Sequence, residues 1–144
     1  MPVIFSRSCE YGIQALLYLA QQSRERHLVQ LREISSSLHI PHHFLSKIMQ
    51  TLAHYELVIS HKGLNGGFEL GRVPSKIRLI DIVRALDGDA FLDHCVLGLT
   101  SCSPESPCSV HQDWLQAKSI IFDMLCMKTI ADFNSGHQHS ATVQ

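Results

Sequence analysis

The pattern Cys95-x6-Cys102-x5-Cys108-x2-His111 gathers three thiols and an imidazole in a stretch of the 144-residue chain with little hydrophobic periodicity. Thiolates are soft ligands, and such a set suits zinc, copper(I) or an iron-sulfur cluster. The spacing is looser than the Cys-x2-Cys knuckle of a zinc ribbon. Neighbours such as Ser101, Ser103, Pro104 and Glu105 offer no apolar bed, so cysteines acting only as small buried hydrophobes fit poorly here. A bound metal would also supply the ordering energy that burial cannot give this segment. Cys9 and Cys126 read differently, the first as a packed small residue at a helix start and the second as a core or dimer-interface residue. Five cysteines without a secretory signal argue against a disulfide framework.

A thiol oxidoreductase or a zinc hydrolase would use the same residue types. Against an enzyme stand the lack of a Cys-x-x-Cys pair, of a general-base motif and of converging carboxylates. A second chemistry lies nearer the start of the chain. Pro41 suits a first helical turn, and after it Leu45, Ile48, Met49 and Leu52 form a helical apolar stripe. Off that stripe stand His42, His43, Ser46, Lys47, Gln50 and Thr51, side chains able to meet bases and phosphates.

Several elements must position these groups. Ser8 precedes a first helix over 9–21 with Ile13, Leu16, Leu17 and Ala20 on one face; a polar break covers 24–27; Leu31, Ile34 and Leu38 mark a short second helix ending near His39. The second helix and the one after Pro41 make the outline of a helix-turn-helix. A β-type run from Leu57 to Ile59 reverses through Gly63-Leu64-Asn65-Gly66-Gly67 and returns as Phe68-Glu69-Leu70, which predicts a wing. His61, Lys62, Gly63, Gly66 and Gly67 are its expected DNA contacts, with backbone amides bared where no Cβ intervenes. Ile77, Ile80, Val83 and Leu86 predict a fourth helix stopped by Gly88.

The expected organisation is therefore mainly α with a small β-hairpin. Residues 1–88 form a winged helix-turn-helix, 89–109 the cysteine loop, 110–133 one long helix and 134–144 a disordered tail. The long helix carries Trp114, Ala117, Ile121, Leu125 and Met124 along a stripe that outruns the domain, which predicts a homodimer on a two-fold symmetric double-stranded operator. Charge follows the same division. Residues 1–80 hold nine Lys or Arg against five Asp or Glu, and residues 81–144 hold three against eight, although the net charge is only -1. A basic front half meets phosphate while an acidic rear half stays away. The run from Ile13 to Ala20 is too short and too polar-flanked for a membrane span or signal peptide, so no membrane and a cytoplasmic location are expected.

Three stretches, Phe5-Ser6-Arg7-Ser8-Cys9-Glu10-Tyr11-Gly12, Gly63 to Leu70, and Ile80-Asp81-Ile82-Val83-Arg84-Ala85-Leu86-Asp87-Gly88, together with the cysteines and last helix, resemble the Rrf-type winged-helix transcription regulators. The resemblance covers nearly the whole chain. It implies a DNA-binding regulator, not an enzyme, that senses redox state, iron-sulfur status or nitric oxide through an iron-sulfur cluster on Cys95, Cys102 and Cys108. It also implies two alternatives for the fourth ligand. His111 matches the imidazole of the iron-sulfur assembly regulators and a two-iron cluster. Glu10 falls where the nitric-oxide-sensing repressors place a carboxylate from the other subunit on a four-iron cluster. This chain departs from the family in a six-residue first gap and in Lys62-Gly63 where an Arg-Gly pair is common. Zinc, a thiol switch without a cluster, and a zinc-ordered interaction module remain the alternatives.

Overall fold

The computed structural model describes residues 4–23, 28–101 and 103–133. The first helix, α1 (Arg7–Gln22), starts two residues before the expected run because Ser6, not Ser8, caps it: the Ser6 hydroxyl accepts from the Cys9 N–H at 3.1 Å. Asp87 anchors that cap. Its carboxylate accepts from the Ser6 hydroxyl and, at 2.8 Å, from the Ser6 N–H. Cys9, Ala15, Leu16, Leu19 and Ala20 are buried on the inner face of α1. Gly12 lies where α1 meets the next-to-last helix, and a Cβ there would stand 2.3 Å from Leu86 Cδ1.

A short α2 (Leu31–Leu38) follows and is stopped by His39 in the left-handed region, φ 55°. The Tyr18 hydroxyl ties it to α1 by donating to Glu33 Oε1 at 2.9 Å. Pro41 is the N-cap of α3 (His42–His54) and not its first helical residue. Leu45, Ile48, Met49 and Leu52 of α3 are buried, as the apolar stripe requires. The chain then enters an antiparallel hairpin, β1 (Val58–His61) with β2 (Gly67–Leu70), in which Val58 pairs with Leu70 and His61 with Gly67. Val29 adds a bridge to Phe68, exchanging N–H···O bonds of 2.9 and 2.8 Å. Gly67 owes its identity to that approach, since a Cβ would stand 2.8 Å from the Val29 carbonyl oxygen at φ 155°.

The fourth helix is shorter than its apolar residues imply. A 3-10 turn at Pro74–Lys76 and extended residues around Ile77 precede α4 (Leu79–Asp87), which Asp81 closes by accepting from the Arg78 N–H at 2.9 Å. Gly88, φ 79°, ends it where expected. Among the described residues between α4 and the last helix there is no helix or strand.

The long helix is also corrected. It spans α5 (His111–Met127) and does not continue to residue 133. The chain leaves α5 through extended Lys128 and bridges Thr129 to Arg78; a 3-10 turn, Ile130–Phe133, follows. Burial of Ile130 is the reason, because a continuous helix would carry this side chain past the core that it fills. Met124 is exposed and does not share the inner face of Leu125, the buried residue of α5. Cys126 is half-buried against the core. The break over 24–27 and the tail from 134 lie outside the described residues.

Removing the anchored cap tests this arrangement. Asp87→Ala leaves the Ser6 cap without its partner and should cost about 2 kcal/mol of unfolding free energy in urea titrations, as expected for hydrogen bonds to a charged acceptor.

Candidate metal centre and nucleic-acid interface

The cysteine loop leaves the domain at Gly88 and is pinned at both ends. Phe91 lies against Phe5 with ring centroids 6.1 Å apart, and Leu92 is buried. Asp89 pairs with Arg84 at 2.9 Å, and the Arg84 guanidinium stands 5.9 Å from the Phe122 ring centroid on α5. At the other end the Trp114 indole N–H donates to the His94 carbonyl at 3.1 Å. The loop is thus attached to the segment that leads into α1, to α4 and to α5, without secondary structure of its own among its described residues.

Between these anchors Cys95 turns the chain, its carbonyl accepting from the Gly98 N–H at 2.9 Å with Gly98 at φ 71°. This turn aims amides at sulfur. The backbone N–H groups of Leu99 and Leu97, then the Cys108 side chain and the Gly98 N–H, hydrogen-bond the Cys95 thiol and hold it below the ordinary thiol range against a smaller opposing effect of burial. Such a cradle of amides favours a thiolate, the form that binds metal. Cys95, Cys108 and His111 line one pocket of about 340 Å³, with Asp93, Trp114 and Lys118 in the same wall. The His111 N–H donates to the Cys108 carbonyl at 3.1 Å, so the start of α5 fixes the two relative to one another.

Cys102, the middle cysteine, lies outside the described residues. Among the described residues no three His, Cys, Asp or Glu side chains converge as a ready-made metal site. Glu10 does not line the pocket; it pairs with Arg7 at 3.5 Å on the partly exposed first turn of α1. Cys9, beside Glu10 in sequence, is fully buried, and burial together with Asp87 and Glu10 pushes its thiol up to about 12. The donor set fits a thiophilic group: one thiol cradled by amides, a second hydrogen-bonded to it and an imidazole on the same wall. Trp114, Lys118 and the amides of residues 97–99 are members of the site that sequence reasoning missed. Gly98, three residues after Cys95, is the one signal in the sequence that pointed to the turn.

The second candidate surface is separate in sequence from the first. On α3, His43, Lys47 and Gln50 are exposed and Ser46 is partly so, on the face turned away from Leu45, Ile48, Met49 and Leu52. β1 follows α3 almost directly and packs against it, so the hairpin stands beside the exposed helix face. Lys62 and Gly63 are exposed near its tip; Gly66 and Gly67 are half-buried on the returning side. His61 is paired there, its Nε2 lying 3.2 Å from Glu69 Oε1 across the hairpin. No helix among the described residues is long and apolar enough to cross a membrane.

A helix pair followed by this hairpin defines a winged helix-turn-helix protein. The chain belongs to the Rrf2 family, whose model, described as an iron-dependent transcriptional regulator, matches residues 5–135. An HTH-type transcriptional regulator of Aquifex aeolicus is 41% identical over 133 residues, covering 90% of each chain. The HTH-type transcriptional regulator NsrR of Bacillus licheniformis is 28% identical over 131 residues, covering 90% of this chain and 91% of the relative. Among solved structures, T. potens IscR superposes with a TM-score of 0.73 at 27% identity, covering 96% of this chain and 91% of its own. CymR, the global cysteine regulator of B. subtilis, superposes with a TM-score of 0.74 at 25% identity, covering 91% and 95%. The relatives are transcription regulators, and the chain is a DNA-binding regulator of this family.

The contrast between the two thiols is measurable in metal-free protein. With iodoacetamide near neutral pH, Cys95 should be modified well before Cys9, as read by peptide mass spectrometry. Cys9 should react only on unfolding or as the pH approaches about 12. Equal rates at the two positions would remove the amide cradle from the account.

Proposed function

We propose that this chain is a homodimeric, cytoplasmic transcription regulator that reads double-stranded DNA and senses redox state, iron-sulfur status or nitric oxide through an iron-sulfur cluster. Cys95, Cys102 and Cys108 would hold the cluster, with His111 or the other subunit's copy of Glu10 as fourth ligand. The observation that carries the reading is the shared pocket of Cys95, Cys108 and His111, in which backbone amides favour the Cys95 thiolate. Support also comes from the iron-dependent description of the family and from the likeness to NsrR and IscR. A bound cluster supplies redox chemistry and reactivity toward small oxidants, and its assembly state is the signal.

In this reading the protein's own part is positional. Residues 1–88 read DNA, 89–109 form the sensing loop and 110–133 the dimer element. The α5 helix leaves Ile120, Met124 and Met127 exposed at i, i+4 and i+7, a face suited to a second copy. His43, Ser46, Lys47 and Gln50 approach the major groove; His61, Lys62, Gly63, Gly66 and Gly67 approach the backbone and minor groove. A ligand shifts such a protein only by binding its two conformations differently, so loop order must alter the spacing of the two reading heads. The likeness to CymR favours a second reading, in which the same thiols serve a cluster-free regulator, as a zinc site or a thiol switch.

Anaerobic purification, followed by an absorption spectrum and iron, sulfide and zinc analysis, separates these readings. Brown protein with iron and sulfide, lost in Cys102→Ala, is the expected result. Colourless protein with one zinc per chain, or with no metal after reconstitution, would replace the cluster. For the DNA surface, Lys47→Ala should weaken duplex binding about ten-fold and flatten its salt dependence by roughly one phosphate contact, without loss of metal. Unchanged affinity in a gel-shift assay would take α3 out of the groove.

A further inference from the structure

The apex of the hairpin carries an apolar side chain in an unusual setting. Leu64 is 97% exposed, and it stands in a fixed turn: the Gly66 N–H donates to the Gly63 carbonyl at 3.0 Å, with Gly63 at φ 104°. A Cβ on Gly66 would lie 2.1 Å from the His61 carbonyl oxygen, so the return path admits only glycine. The returning strand is bonded to Val29 at Phe68, close below the tip. Leu64 and Asn65 are therefore held out on a rigid support.

An exposed leucine alone is ordinary on a protein surface. The neighbourhood gives this one a direction. Lys62 lies two residues before it, and no carboxylate occurs between Glu56 and Glu69. The reversal itself thus carries Lys62 and no acid, the nearby Glu69 carboxylate being paired with His61, while its most exposed side chain is apolar. Phosphate attracts such a tip from both strands, and the space between the strands then receives its apex.

The chemistry of the minor groove decides what an apolar apex prefers. An A·T pair shows there only the adenine N3 and thymine O2 acceptors, whereas a G·C pair adds the guanine N2 amino group. A leucine cannot accept from that amino group, and its bulk displaces the water that would, leaving a desolvated donor unpaired. The Asn65 amide next to it can donate to the acceptors common to every pair.

We propose that Leu64 is a minor-groove specificity residue that selects, beneath the wing, base pairs lacking the N2 amino group. The inference rests on the DNA-binding reading above and adds a residue-specific base preference to a wing otherwise expected only to approach the backbone and minor groove. Because Leu64 packs on almost nothing, Leu64→Ala should fold as the parent does.

The test uses a duplex selected by the full chain from a random-sequence pool, with the wing position located by hydroxyl-radical footprinting. Replacing an A·T pair there by G·C should lower affinity about ten-fold, the usual size of a single mismatched position. Replacement by inosine·cytosine should restore affinity to within about two-fold, because inosine keeps the major-groove edge of guanine and lacks the minor-groove amino group. In Leu64→Ala the G·C penalty should shrink to about two-fold, while Lys62→Ala should weaken all these duplexes alike. Equal penalties for G·C and inosine·cytosine, or a G·C penalty that survives in Leu64→Ala, would overturn the assignment. Failure to select any duplex would overturn the DNA-binding reading and this inference together, and is distinguishable from either.

Discussion

The Asp87 carboxylate holds the molecule in register. It ends α4 and at the same time accepts two hydrogen bonds from Ser6, the residue that caps α1. One side chain thereby joins the cap of the first helix to the last turn of the fourth. Gly12 lets α1 and Leu86 come together one turn further on. Buried side chains of α1, α3 and α4 then fill a common core. The attachment matters for function because the cysteine loop departs from α4 one residue later, so any strain in the loop begins where α1 is tied down.

Past Leu92 the apolar side chains of that loop, Val96, Leu97 and Leu99, are exposed and build no core of their own, so its order comes from its edges. Phe91 and Leu92 seal it on one side; the Trp114 indole holds the His94 carbonyl on the other. Arg84 touches both the loop, through Asp89, and α5, through Phe122. A change in the pocket of Cys95, Cys108 and His111 thus has a short physical path to the helix with the exposed apolar face. This is the coupling that a sensor needs, an element whose arrangement differs between two states of one site.

Much of the architecture was legible in residue order. The stripe of α3, the stop at Gly88 and the glycine-rich reversal at Gly63 are local patterns, and local patterns survive into structure when the core agrees with them. What the sequence hid was mostly long-range. Ser6 outcompetes Ser8 as a cap because Asp87, far along the chain, fixes its hydroxyl. α5 ends at Met127 because Ile130 is required in the core beside Ile77, whose carbonyl accepts from the Ile130 N–H at 2.9 Å. In the candidate site the cysteines were evident from type and spacing. The amides around the Cys95 sulfur were not, since a backbone donor leaves no mark in sequence beyond the glycine that permits the turn.

Trp114 is the sole tryptophan of the chain, and its ring stands in the wall of the cysteine pocket with its N–H committed to the loop backbone. The protein thus contains its own optical probe at the place where a signal would arrive. Its emission senses the polarity, the hydrogen bond and any light-absorbing group of that pocket, without a label and without a competing indole elsewhere. Events at the sensing loop can therefore be timed separately from events on DNA, which turns an order-of-steps question into a kinetic one.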